Sequence, residues 1–308
     1  MEVYDPQKGT FAPGRWSTEF LSHVRLARPT GAECEALCDQ IDRAIRDGAY
    51  KLPVFPKVAI EALQLSQDPD VTLDRIVGLL ESEVAISARL LAVCNSPFYR
   101  GPSTFRSTKE VVVRLGLLQV RDVILQAVLM ARVFEVPCFT TRMEEVRTQA
   151  IGVAHACRWL EVALPYREDW AFIGGLLRDL GKVVLLDILA RQKRPEAVPP
   201  AMIDELLAIR HAAVGAVAAE RLNLPEQISR AIAHHHDFNA ASPEDRLPTL
   251  VAAGELLWTA GLEAKPEGRE AFTTAPATRA LRLSEPWLHR LVDRMAEAVP
   301  ACAAAAVN

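Results

Sequence analysis

The sequence predicts an all-α protein. Half of the 308 residues are apolar, and they recur along most of the chain at the spacing of three and four residues that is typical of an amphipathic helix. Capping signals precede several of these apolar runs. No segment shows a sustained alternation of apolar and polar residues, so no strand is predicted.

Two capping boxes place helices in the first part of the chain. Ser107 is followed three residues later by Glu110, and Gly116 ends the apolar run that comes after them. Thr30 and Glu33 repeat this pattern before a helix with apolar residues at helical spacing. A Ser or Thr side chain at the N-cap accepts a hydrogen bond from the first turn, so both pairs predict the start of a helix. Two further N-caps are predicted, at Thr72 and Ser82.

Apolar periodicity predicts the later helices at 118–134, 143–160, 169–190, 201–221, 226–236, 247–260 and 285–298. The charged and proline-rich segment 191–200 and the segment 263–277 are predicted to be loops. We expect residues 301–308 to be frayed. Residues 1–29, which contain several prolines and glycines, are predicted to form an irregular leader.

Composition excludes several classes of function. The net charge of −4 gives no overall basic field of the kind that nucleic-acid binding usually requires, and it does not exclude a local basic patch. No apolar run approaches the roughly 20 residues that span a bilayer, and the start of the chain lacks a secretory signal. We therefore expect a cytoplasmic protein with no nucleic-acid or membrane partner. The six cysteines form no CxxC pair, so buried, reduced thiols are expected.

Several motifs follow one another along the chain in a characteristic order. LPVFP occupies 52–56 and an apolar helix ending in NSPFY occupies 87–99. GGLLRDLGK follows at 174–182, then His211 in HAAVGA, then Leu-Pro and the three histidines at 234–236. From about Leu52 to about Trp258, this ordered series resembles the HDOD family, a relative of the HD and HD-GYP phosphohydrolases.

The resemblance implies an all-helical fold in which an N-terminal helical bundle packs on a second bundle built like an HD domain. On this basis, residues 1–48 are a leader and helix, and 49–260 are the HDOD domain. Within that domain, 49–140 form the first bundle and 141–260 form the HD-like bundle. Residues 261–308 are a C-terminal helical extension.

Several residues of this chain are candidate metal ligands. A hydrolytic metal site needs several converging histidines and carboxylates, and this chain offers Asp179, His211, the histidines at 234–236, Asp237 and Glu255. Neighbouring helical residues diverge by about 100° around the helix axis. Two adjacent histidines therefore cannot both face one ion unless the helix ends or distorts there.

The resemblance implies that some of the metal ligands of active HD phosphohydrolases are missing from this chain. Where active HD phosphohydrolases have a first histidine, this chain has Gln149, and His155 is out of register. The His-Asp doublet reads Arg178-Asp179, and an arginine stays protonated, donates no lone pair to a metal and repels a cation. The family's final aspartate falls at Glu255, and the GYP element is absent. The implied degenerate HD site comprises Gln149, Arg178, Asp179, His211, His235, His236 and Glu255.

We therefore expect no catalytic residue, no cofactor and no bound metal. If a metal is held, its ligands are Asp179, His211, His235 and His236. Two other interpretations of these residues stay open. The histidines are structural and Arg178 with Asp179 forms an internal ion pair, or Arg178 and the histidines form a pocket for a phosphate-bearing ligand.

The resemblance implies a non-catalytic bacterial regulatory domain that acts by contact with signalling proteins, for example of two-component or cyclic-dinucleotide pathways. One alternative is a divergent metal-dependent phosphohydrolase that acts on a nucleotide or phosphodiester. A second alternative is a sensor that binds a small anionic ligand at the degenerate site.

Two further segments are predicted to form interfaces. The first is the helix end that joins the two bundles, with the residues Asn95, Ser96, Pro97, Phe98 and Tyr99. The second is a helix capped by Ser284, whose apolar stripe is predicted to pack on the chain's own core. The alternative is that this helix, or the segment before Leu52, binds a partner or a second copy of the chain.

Overall fold

The computed structural model describes residues 31–47, 50, 52, 57–65, 68, 70–81, 84–96, 98–99, 104–132, 136–192, 198–242 and 244–307. Within these ranges the chain consists of α-helices, turns and two 3₁₀ turns, at Pro137–Phe139 and Phe238–Ala240, without a strand. The predicted all-α class is therefore confirmed. No helix in these ranges is both long and apolar enough to cross a lipid bilayer.

The helices of the first part are α1 (Ala32–Arg46), α2 (Lys57–Leu65), α3 (Leu73–Glu81), α4 (Val84–Cys94), α5 (Thr108–Leu115) and α6 (Leu117–Arg132). Helix α6 packs against α2 and α4, and α3 packs against α5. The backbone of α6 between residues 120 and 130 carries only buried side chains. This helix is therefore the centre of the first part of the chain.

The structure confirms the predicted N-cap at Ser107 but not a complete capping box. The Ser107 side chain accepts a hydrogen bond from the Glu110 amide at 3.2 Å, and Gly116 ends α5 with a φ of 75°. Glu110 accepts a hydrogen bond from the Arg106 amide rather than from the Ser107 amide. Helix α1 begins after Gly31 without a side-chain cap, while Thr30 and Ser82 lie outside the described residues.

The helices of the second part are α7 (Thr140–Val162), α8 (Ala171–Leu177), α9 (Leu180–Ala190), α10 (Pro200–Arg221), α11 (Glu226–His234) and α12 (Leu247–Glu263). Helix α7 packs against α8 and α12, α9 packs against α10, and α10 packs against α11. The two parts meet where α6 contacts α8.

The predicted single helix 169–190 is wrong, because the chain turns between α8 and α9. Asp179 leaves the helical region with φ −96° and ψ 16°. The turn brings α9 very close to α10, where a Cβ on Gly181 would lie 2.6 Å from the Gly215 amide nitrogen. This close approach requires glycine and has no signal in the local apolar spacing.

The predicted loop at 263–277 is also wrong. It contains α13 (Pro266–Thr274) and α14 (Pro276–Ala280), and each begins with a proline in its first turn. Proline is favoured in this position because its missing N–H has no partner there in any case. The prolines of this segment are therefore helix-start signals rather than loop signals.

The last helix, α15 (Glu285–Val307), continues through the tail that the sequence predicts to be frayed. Cys302 and Ala306 lie one turn apart and are buried, so tertiary packing holds this end. The predicted apolar stripe of Leu288, Leu291, Val292 and Met295 is buried as well. Its packing on the chain's own core is confirmed, since α15 packs against α7 and α12.

Five of the six cysteines are buried free thiols, as expected, and Cys138 is exposed.

Helix α1 contacts α9 and α10 of the second part. Arg221 at the end of α10 donates hydrogen bonds to the Tyr50 hydroxyl at 2.8 Å and to the Ile45 carbonyl at 3.2 Å. The first helix is therefore attached to the second part of the chain.

Candidate functional site

Three histidines converge at the end of α11. His211 projects from α10, and His235 and His236 follow the last residue of α11. The Nε2 atom of His211 lies 3.2 Å from that of His235 and 2.9 Å from that of His236. The sequence required a helix end for two adjacent histidines to face one point, and α11 ends at His234.

Backbone carbonyls orient two of these rings. His211 Nδ1 donates to the Leu207 carbonyl at 2.6 Å, and His235 Nδ1 donates to the Ile232 carbonyl at 2.8 Å. A neutral imidazole carries one proton, so the Nε2 atoms of both rings present lone pairs to each other. His236 is then the donor to His211. Burial lowers the pKa of His211 to about 4 and that of His235 well below its usual value, which keeps both rings neutral at pH 7.

A second group of charges lies beside the histidines. Asp179 is buried, and its carboxylate is 2.8 Å from the Arg178 guanidinium and 3.0 Å from Lys182 Nζ. Its Oδ1 atom is 3.5 Å from His211 Nε2. Burial opposes ionisation of Asp179, but Arg178, Lys182 and the histidines outweigh it and hold the pKa of this carboxyl below its usual range. The carboxylate therefore already has two cationic neighbours.

Arg178 is fully buried and faces two carboxylates, Asp179 and, at 3.8 Å, Glu255. Neither oxygen of Asp179 accepts a hydrogen bond of normal geometry from any described residue, so these contacts are electrostatic. Two positive charges, Arg178 and Lys182, thus balance two negative charges, Asp179 and Glu255, within one site. The charges of these four side chains therefore sum to zero.

A cavity of about 1370 Å³ opens next to the histidine cluster, and most of its wall is apolar. Gln149, His211 and His236 contribute to the wall, whereas Arg178 does not. The cation that reaches the cavity from the GGLLRDLGK motif is Lys182. It was not among the predicted site residues, although its position three residues after Asp179 is a signal for the pairing.

The structure therefore places the predicted site residues in two groups. Arg178, Asp179, His211 and His235 form a buried centre, with Glu255 at its edge. Gln149 and His236 lie on the cavity side.

The predicted inter-bundle segment contacts α7. The ring of Phe98 stacks on His155 with centroids 3.8 Å apart, and Tyr99 meets the same ring edge-on at 5.3 Å. Asn95 exchanges two hydrogen bonds with the backbone of Phe105. Ser96 is half-buried and Pro97 lies outside the described residues. His155 is thus a packing residue between α7 and the segment at 95–99.

A buried ion-pair network also joins α6 and α7, and no sequence prediction included it. Asp122 of α6 lies 2.7 Å from its neighbour Arg121 and forms an ion pair with Arg158 of α7. Arg158 continues to Glu161 at 3.2 Å. The available signal is the Arg-Asp pair inside an otherwise apolar helix, since buried charges are normally paired.

Comparison with known proteins identifies the same fold. The HDOD domain family matches residues 52–238. An uncharacterised protein of Treponema pallidum (strain Nichols) is 28% identical over 240 residues, which cover 73% of this chain and 45% of that protein. The chain thus spans less than half the length of this relative.

Solved structures of other proteins have a similar fold. An HDOD domain protein of unknown function from Geobacter sulfurreducens has a TM-score of 0.68 at 20% identity, covering 88% of this chain and 96% of the other. A proposed phosphohydrolase from Shewanella amazonensis SB2B has a TM-score of 0.64 at 20% identity, with 88% and 97% covered. A proposed signal transduction protein from Marinobacter aquaeolei VT8 has a TM-score of 0.62 at 18% identity, with 99% and 69% covered. At these identities the likeness is one of fold.

Proposed function

This chain belongs to the HDOD domain family, and we propose that it is a non-catalytic regulatory domain that acts by binding rather than by hydrolysis. The observation that carries this proposal is the buried pair of Arg178 and Asp179. In the family comparison, Arg178 stands where active HD phosphohydrolases have a metal-binding histidine. A guanidinium at this point supplies the positive charge that a metal would otherwise supply.

The metal site of active HD phosphohydrolases does not fit these residues. Asp179 has both Arg178 and Lys182 as neighbours, so a divalent cation at this carboxylate would meet two fixed positive charges. Gln149, in place of the first histidine, offers only a weak amide ligand. These residues therefore do not support metal-dependent hydrolysis.

We propose signalling proteins as the partners, including components of two-component or cyclic-dinucleotide pathways, and a cytoplasmic location. The order of motifs supports this context. The proposed division is a leader and helix at 1–48, the HDOD domain at 49–260 and the extension at 261–308. The burial of the stripe on α15 favours the extension as part of the fold rather than as a dimer surface.

One observation favours the alternative of a divergent phosphohydrolase. The ligand atoms of His211, His235 and His236 all lie within 4.8 Å of one another. The Nδ1 atoms of His211 and His235 donate hydrogen bonds to backbone carbonyls, as in many metal-ligating histidines. The positions of Lys182 and His236 on the cavity wall favour a third candidate, a sensor of a small anionic ligand.

Metal content and turnover separate these candidates. The protein is purified without chelators, its metals are measured by inductively coupled plasma mass spectrometry, and hydrolysis of a generic phosphodiester is followed with added manganese, iron or zinc. We expect substoichiometric metal and no turnover. Stoichiometric metal with turnover, both lost in His211→Ala and kept in the control His289→Ala outside the cluster, would overturn the proposal. Thermal stabilisation by inorganic phosphate that Lys182→Ala removes would favour the sensor.

A further inference from the structure

The cavity beside the histidines lies between the faces of two helices. Its wall contains residues at the spacing i, i+4 and i+7 from each of them: Thr141, Glu145 and Thr148 from α7, and Asp204, Ala208 and His211 from α10. Residues at this spacing share one face of a helix. The wall extends over residues 141–149 and 204–213, which correspond to about 12–14 Å of helix. The cavity is therefore long enough for about two turns of a further helix.

Part of the cavity wall is apolar and exposed. Leu262 at the end of α12 is 50% exposed, and Ala303 of α15 is exposed as well. Trp258 contributes to the same wall and is buried, yet its indole N–H has no acceptor among the described residues. An exposed apolar wall next to an unused donor indicates that another molecule binds there.

The size of the cavity narrows the choice of occupant. Its volume of about 1370 Å³ exceeds the roughly 300–1,000 Å³ of pockets for small molecules. A helix that lays its apolar face into the space between other helices is a recurrent occupant of an elongated cavity of this kind. The dimensions therefore favour a helix over a small molecule.

The charges on the wall select the type of helix. Arg142 is paired with Asp204, and Lys182 Nζ is 3.0 Å from the carboxylate of Asp179. Burial lowers the pKa of His211 to about 4, so this ring adds no positive charge at pH 7. Three further carboxylates on the wall form no ion pair with any described residue: Glu144, Glu145 and Asp237. The uncompensated charge is therefore negative, which opposes an anionic occupant and favours a basic one.

We propose that this cavity binds a basic amphipathic helix of a partner protein. Apolar side chains of that helix contact Leu262 and Ala208, and their burial supplies the affinity. Its lysines and arginines lie beside Glu144, Glu145 and Asp237, which orients the helix and selects it over acidic ones. The inference rests on the proposed function, because a domain that acts by binding needs a surface for its partner. It does not depend on whether the histidines bind a metal.

Two synthetic peptides test the proposal with the full chain. Both carry fluorescein and form a helix with leucines on one face, and the other face has lysines in the first peptide and glutamates in the second. Fluorescence anisotropy measures their affinities. We expect the lysine peptide to bind roughly tenfold or more tightly than the glutamate peptide, and added salt should reduce this difference. Glu144→Gln combined with Glu145→Gln should reduce it as well.

A matched pair of variants locates the binding. Leu262→Arg brings a positive charge into the apolar wall, so it should weaken binding of the lysine peptide by roughly tenfold or more. Val162→Arg is the control, because Val162 is also an exposed apolar residue, at 73%, and lies outside the cavity wall. It should leave the affinity unchanged. A photoreactive benzophenone on the lysine peptide should crosslink to residues 141–149, 204–213 or 258–262, as identified by mass spectrometry.

Several results would overturn the proposal. They are no binding of the lysine peptide, equal affinity for the two peptides, crosslinks to a different surface, or an equal effect of Leu262→Arg and Val162→Arg. Dimerisation of the chain in analytical ultracentrifugation that Leu262→Arg abolishes would assign the cavity to a second copy instead. Metal content and phosphodiester turnover are measured without peptide, so a chain that lacks both and binds neither peptide would contradict this inference alone.

Discussion

The guanidinium of Arg178 lies 2.8 Å from the carboxylate of Asp179, the next residue in the sequence, and both side chains are buried. Adjacent residues inside a helix diverge by about 100°, so this contact depends on the turn between α8 and α9. The pair occupies the centre of the candidate site. Its charge is balanced further by Lys182 and Glu255.

Removing Arg178 should destabilise the fold. In Arg178→Ala, the carboxylate of Asp179 stays buried and loses its nearest cation, and breaking a buried ion pair in this way costs about 3–5 kcal/mol. Urea denaturation followed by circular dichroism measures the free energy of unfolding. The control is Arg191→Ala, which breaks a more exposed pair with Asp187 and should cost at most about 1 kcal/mol. Equal small effects of the two changes would show that the buried pair is not a brace.

Replacing Arg178 with histidine should create metal affinity. Arg178→His removes a fixed positive charge beside Asp179 and adds an imidazole near His211 and His235, which increases the number of ligands. Isothermal titration calorimetry with zinc and manganese measures the gain. Arg178→Gln is the matched control, because it removes the charge without adding a strong ligand. If both variants bind metal equally, the charge of Arg178, and not the missing ligand, is what excludes it.

Acidification should destabilise the protein below about pH 6.5. Burial, together with Arg294 and Arg158, lowers the pKa of His155 to about 3, and burial lowers that of His211 to about 4. Between these values and about 6.5 the unfolded chain binds more protons than the folded chain. The free energy of unfolding therefore falls with decreasing pH, by up to about 1.4 kcal/mol per pH unit for each histidine. Above this window neither histidine contributes a slope.

A substitution assigns part of this pH dependence. In His155→Phe, the aromatic contact with Phe98 is kept and the titrating group is removed, so the free energy of unfolding should depend less steeply on pH. Urea denaturation at about pH 7 and about pH 5 measures the slope. The control is Val162→Ala, at an exposed position on α7, which removes no titrating group and should leave the slope unchanged. Parallel curves for the wild type and His155→Phe would contradict the assignment.

The contact of α9 with α10 should be intolerant of a single methyl group. A Cβ on Gly181 would overlap with the His211 carbonyl and lie 2.6 Å from the Gly215 amide nitrogen. Gly181→Ala should therefore destabilise the fold by about 1–3 kcal/mol or more. Gly78, in α3, is exposed and its Cβ would meet no atom within 4 Å. Gly78→Ala should stabilise the fold by roughly 0.5–1 kcal/mol, and thermal unfolding of both variants measures the contrast.

The sequence by itself determined the features that depend on neighbouring residues. The all-α class follows from apolar spacing within each helix, and the start of α5 follows from the Ser107 cap. That Arg178 cannot act as a metal ligand could be read directly from the sequence, because no fold gives a guanidinium a lone pair. These predictions need no knowledge of which helix packs against which.

Only the tertiary structure decided how the site is assembled. It ended α11 at His234, which lets His235 and His236 face His211 from one side. It also placed His155 against Phe98 rather than in the site, and it turned the chain at Asp179. Each of these outcomes depends on contacts between residues far apart in the sequence, such as Gly181 with Gly215. The close packing that selects them leaves no trace in the local pattern of apolar and polar residues.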